Sequence, residues 1–137
     1  MVGAGPAGLF AARELARISR LRVLGLEAGP DLPRRLADPS LRTAGFGGAG
    51  AFSDGKLTLS PAFGGRLREV VGASAAEELI AYVDRAFVAL GAPRRVHGAD
   101  RERVRGLEER ARAAGLTLVP ARIRHVGTDR LPLLLER

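Results

Sequence analysis

Six residues near the start, Gly3-Ala4-Gly5-Pro6-Ala7-Gly8, place three glycines at the G-x-G-x-x-G spacing. At that spacing Gly3 permits a tight turn out of a strand, Gly5 lets backbone approach a diphosphate, and Gly8 lets the following helix pack closely. Pro6 and Ala7 open that helix, whose first amides and positive dipole end would face the phosphates. A glycine-rich turn ahead of an ordinary helix would look the same, and 18 glycines are available in the chain. Glu27 adds weight because it lies about 20 residues beyond the turn, at the close of the next apolar run, where a carboxylate accepts hydrogen bonds from ribose hydroxyls. The same charge would repel a 2′-phosphate.

The elements that position these residues follow from periodicity. Gly5 to Ser19 reads as a helix with Ala11, Leu15 and Ile18 on one stripe, and Arg22 to Glu27 as a short strand. Only Met1 and Val2 precede Gly3 as a first strand. From Ala28 to Gly72 no helical or alternating period is sustained, and Gly and Pro recur, so an extended excursion is expected. Within it Gly47, Gly48 and Gly50 would bring backbone close to a bulky cofactor, with Ser53 offering a hydroxyl and Lys56 a cation. Phe46, Phe52, Leu57 and Leu59 among those glycines argue for a packed segment. A second helix is expected from Ser74, with Glu77 completing a capping box, to Gly91, with Leu79, Val83, Phe87 and Leu90 on one face. A third runs from Asp100 as N-cap to Ala114, where Gly115 stops it, and strands are expected at Leu116–Val119 and Arg122–Val126.

FAD and NAD share the turn-and-acid fingerprint. The chain resembles the bacterial FAD-dependent dehydrogenases of uncharacterised substrate, within the flavoproteins that carry two dinucleotide-binding regions. Carrying the resemblance are Gly3 to Ala12, the block from Gly45 to Ser60, Tyr82-Val83-Asp84, Gly91-Ala92-Pro93, and Ile123 to Arg130. It implies an FAD-dependent oxidoreductase whose flavin carries the chemistry, acting with an unidentified small-molecule substrate or electron partner. The implied fold is α/β, a Rossmann-like FAD/NAD(P)-binding domain. Residues 1–30 would begin its βαβ unit, 31–73 form the cofactor-contacting segment, 74–115 a helical insertion, and 116–137 the return to the sheet. Against the family pattern most of the first strand, the later strands and a C-terminal Gly-Asp segment are missing, so the expected domain is incomplete, and activity of these 137 residues alone stays open. His125, in a stretch that recurs in the family, is the one weak catalytic candidate, with a structural role as its alternative; Asp54 and Asp129 read as turn residues.

Composition narrows the other classes. Apolar residues at 46% and charged residues at 27% describe a chain that folds. Absence of cysteine excludes disulfides, thiolate metal sites and a cysteine nucleophile. No apolar run nears the roughly 20 residues of a bilayer span, and Met1-Val2-Gly3 leaves no room for a signal region, so a cytoplasmic location away from membranes is expected. The net charge of +7 raises nucleic acid as a partner. Lys56 is the only lysine among 22 basic residues, and the arginines are scattered rather than striped, so no nucleic-acid partner is expected. The alternatives to a flavoenzyme are an NAD-binding regulatory Rossmann module and, behind it, a basic nucleic-acid module.

Overall fold

Two units divide the chain in a computed structural model that describes residues 1–136: residues 1–55 together with the stretch from Gly127 onward, and residues 56–126. Both mix helix with a little strand pairing. The second unit takes in the end of the glycine-rich excursion as well as the helices.

In the first unit α1 (Pro6–Ile18) starts on Gly5 and ends at Ser19, whose amide and hydroxyl both donate to the Leu15 carbonyl. Its apolar stripe is not covered: Leu15 is 36% and Ile18 66% exposed. The expected strand Arg22–Glu27 forms only a single parallel bridge, Val2 to Leu26. Three hydrogen bonds make it: Gly3 N–H to the Leu26 carbonyl at 2.7 Å, Leu26 N–H to the Met1 carbonyl at 3.0 Å, and the amino terminus to the Leu24 carbonyl at 2.9 Å.

The excursion after Ala28 is more ordered than its irregular sequence pattern. Asp31 caps α2 (Leu32–Ala37) by accepting from the Arg34 amide at 3.1 Å, and two single-turn 3₁₀ segments follow at Pro39–Leu41 and Ala49–Phe52. Short helical turns of this kind carry too few residues to register as a period. Near the end of the chain Arg130 leads into α6 (Leu131–Leu134), which buries Leu131, Pro132 and Leu134. With Ala4, Leu32 and Ala51 these residues supply the buried apolar side chains of the unit.

The second unit holds β1 (Lys56–Thr58) antiparallel to β2 (Ile123–His125), in the register Lys56–His125, Leu57–Arg124, Thr58–Ile123. Ile123 also bridges His97 through N–H···O bonds of 2.8 and 3.0 Å. β2 falls inside the expected strand Arg122–Val126, whereas Leu116–Val119 forms no strand pairing among the described residues and stays exposed. Helix α3 (Leu67–Val71) passes through Gly72, at φ +84°, into α4 (Ala73–Ala89). Gly72, not Ser74, is therefore the N-cap of α4, and no capping box forms; the Ser74 hydroxyl lies 3.1 Å from Glu78 Oε1 instead. The face that α4 buries is made of Ala76 and Ala86, while Leu79 is 47% exposed. Helix α5 (Arg101–Ala113) begins on Asp100 as expected, with Gly115 at φ +72° beyond its end, and buries no residue.

Arg124 holds this unit together. Its Nε and Nη2 donate to Asp84 Oδ1 and Oδ2 at 2.5 and 2.9 Å, and its Nη1 to the Pro93 carbonyl at 2.5 Å, with the side chain only 6% exposed. One guanidinium so joins β2, α4 and the turn after α4. Asp84 raises the Arg124 pKa further above its ordinary value, outweighing the opposing effect of burial. Among the described residues no helix is long and apolar enough to cross a membrane.

Candidate functional site

The glycine turn of the first unit is built as its spacing demands at two positions. Gly3 takes φ +89°, which favours glycine over any residue with a Cβ. At Gly8 a Cβ would overlap the Gly3 carbonyl oxygen, so the helix can close on the turn only without a side chain there. Gly5 differs. Its φ of −72° suits any residue and a Cβ there would meet nothing within 4 Å, so the space before it is open. Gly5 also gives α1 no side-chain cap and no acidic residue stands in the first turn, which leaves the leading amides of Ala7 and Gly8 and the dipole end of the helix to an outside acceptor, Pro6 having no N–H to offer.

Glu27 reaches this turn. Its Oε2 accepts from the Ala4 amide at 2.6 Å and its Oε1 from the Gly29 amide at 2.9 Å. These bonds, that of Ala4 first and then that of Gly29, hold its pKa below the ordinary glutamate value against a smaller opposing effect of burial, with attraction to Arg35 adding to the shift. The Ala28 backbone also bonds to this carboxylate, so of the about four acceptor sites of an ionised carboxylate roughly one remains for a hydroxyl donor.

The glycine block lies against the same turn. Gly47 donates its amide to the Ala4 carbonyl at 2.8 Å, and a Cβ on Gly48 would stand 3.1 Å from Pro6 Cδ. The demand for glycine at both is met inside the chain: Gly47, at φ +85°, presses on Leu135, and Gly48, at φ +67°, on Pro6 and Gly5. Gly50 alone of the three opens on free space. The Ser53 hydroxyl donates to the Gly50 carbonyl at 2.8 Å and accepts from the Gly55 amide at 3.2 Å, which fixes the turn out of the block. Lys56 and His125 belong to the second unit, where they face each other across β1 and β2, and His125 is exposed.

One organising residue has no signal in the sequence. Arg35, on α2, is fully buried and spends its guanidinium on backbone carbonyls: Nε on Leu41 at 3.2 Å, Nη2 on Arg42 at 2.7 Å and on Gly48 at 2.9 Å, and Nη1 on Phe46. Its Cζ also stands 4.7 Å from the centre of the Phe52 ring. Desolvation lowers its pKa from the ordinary arginine value and Glu27 partly restores it, leaving the group charged. Nothing in the spacing distinguishes Arg35 from its neighbour Arg34. The only hint is general, since a glycine-rich block with little regular structure leaves carbonyls that need a donor.

Among the described residues no group of His, Asp and Glu is arranged to hold a metal ion. Comparison with known protein families, with curated proteins and with solved structures finds no match for this chain.

Proposed function

We propose that the first unit is the opening of a Rossmann-like dinucleotide site and that its ligand is FAD, in an oxidoreductase whose chemistry the flavin supplies when bound. The observation that carries this reading is the convergence of Glu27 on the glycine turn. A parallel bridge sets Val2 beside Leu26, the turn leaves into an uncapped 13-residue helix, and the carboxylate closes back on Ala4 with acceptor capacity to spare. In this reading the leading amides of α1 receive the diphosphate, the open space at Gly5 admits it, and Glu27 receives a ribose hydroxyl. Arg35 fixes the path of the glycine block beside them, and Gly50 is its open approach. FAD rather than NAD is favoured by that block, because the chain after Glu27 does not return to the bridge but folds Gly47 and Gly48 onto the turn.

The test is a pair of titrations, FAD and NAD, followed by flavin fluorescence and by the thermal melt of the protein. FAD raises the melting temperature by an amount that grows with the logarithm of its concentration above the Kd, and NAD at the same concentration raises it less. A larger shift with NAD would move the reading to a nicotinamide-binding module, and no shift with either would end it.

A further inference from the structure

The second unit carries a groove that the dinucleotide reading does not use. It encloses about 410 Å³ between the 95–100 turn and the first turns of α5, within the size range of small-molecule sites. Val96, Val104 and Leu107 give it an apolar wall, and Arg95, His97 and Arg103 line it with polar side chains. The Arg95 and Arg103 guanidinium groups have no hydrogen bond or ion pair among the described residues. Asp100, also at the groove, uses Oδ1 to accept the Arg103 amide at 3.1 Å, so the chain's own carboxylate already caps the end of α5. An incoming anion would therefore be held by side chains and not by the helix terminus.

The turn that presents these groups is firmly placed. His97 is tied to Ile123 by both of its backbone groups, and Gly98, at φ +71°, sits so close to Ala121 that a Cβ would overlap the Ala121 carbonyl oxygen. Two guanidinium groups stand against one carboxylate, a balance that suits a single negative charge and disfavours a dianion. The apolar wall asks for a hydrocarbon body attached to that charge.

We propose that this groove binds an organic monocarboxylate with an apolar body, the carboxylate taken by Arg95 and Arg103 and the body laid on Val96, Val104 and Leu107. The reading is independent of what the first unit binds. It is tested on the whole chain by following backbone amide resonances while phenylacetate, phenethylamine or inorganic phosphate is added. Phenylacetate shifts the amides from Val96 to Leu107 saturably, and phenethylamine leaves them in place. Arg95→Gln with Arg103→Gln weakens phenylacetate at least about fivefold, the scale of lost charge-assisted bonds, whereas Arg110→Gln, an exposed arginine of α5 outside the groove, does not. The proposal is overturned if phenylacetate moves none of these amides, if Arg110→Gln weakens it as much as the double variant, or if phosphate displaces it at equal concentration.

Discussion

Arg35 and Arg124 are buried arginines of separate units, and they solve one problem in opposite ways. Arg124 meets a carboxylate with two parallel bonds and adds one carbonyl; Arg35 has no carboxylate bonded to it among the described residues and gathers four carbonyls instead. The difference shows in their protonation, which Asp84 favours for Arg124 and desolvation disfavours for Arg35. A charge pair can be lost by changing one partner, while a set of backbone dipoles is lost only by changing the arginine. Arg124 is thus a joint between elements that have their own structure, and Arg35 is the scaffold of a segment that has little.

The comparison breaks first at Asp84. Asp84→Ala leaves Arg124 buried without its counter-ion and should destabilise the second unit by about 3 to 5 kcal/mol, read as the shift of a urea midpoint. Replacing both by residues of similar volume, Asp84→Leu with Arg124→Met, should recover much of that loss. If the double variant is no better than the single, the pair is more than a charge match.

Arg35→Lys comes next. An ammonium cannot span carbonyls from Leu41 to Gly48, and the unmet acceptors should cost about 2 to 4 kcal/mol and raise amide exchange from Leu41 to Phe52. Equal stability of the lysine variant would show that charge, not the fork, is what the block requires.

Glu27 sharpens the same contrast, because here an acid rather than a base organises backbone. Its folded pKa is lowered, so its contribution to stability is present above the ordinary glutamate value and is lost as pH falls through the folded value. Exchange of the Ala4 and Gly29 amides should accelerate over that acid window, and Glu27→Gln should remove the pH dependence. The same variant should weaken FAD by about tenfold, the scale of a hydrogen bond to a charged group. Unchanged affinity would leave Glu27 as a brace for the turn and not a ribose acceptor.

The smallest effect separates two caps of the second unit. Asp100→Ala should cost about 1 kcal/mol, since it removes the acceptor for the Arg103 amide. Ser74→Ala should stay within about 0.5 kcal/mol, because Gly72 already starts α4. A larger loss at Ser74 would mean that the capping box forms in solution.

These caps show where the sequence was legible. Asp100 and Gly115 bound α5 through local chemistry that needs no distant partner, and the same holds for Gly5 with Pro6 at the start of α1. Ser74 misled because α3 lies immediately ahead of α4, so the turn between them is made by Gly72 at positive φ and the helix begins before the serine. Apolar runs misled for a different reason. Arg22–Glu27 and Leu116–Val119 have the composition of strands, but a strand exists only where a neighbour supplies its hydrogen bonds, and composition does not name the neighbour. The acid at Glu27 was readable from its distance to the turn. Its bond to Ala4, and the carbonyls collected by Arg35, depend on long-range folding and were not.

The single bridge between Val2 and Leu26 bears on how this protein behaves at the bench. The backbone groups of Val23 and Gly25 have no partner among the described residues, and beside them Val2 is 88%, Leu24 71% and Leu26 58% exposed. A short apolar segment with a bare edge is a template for adding further strands, and identical chains at high concentration are the nearest supply. Storage as a dilute stock, with arginine or mild detergent in the buffer and light scattering checked after each concentration step, is the handling that such an edge calls for.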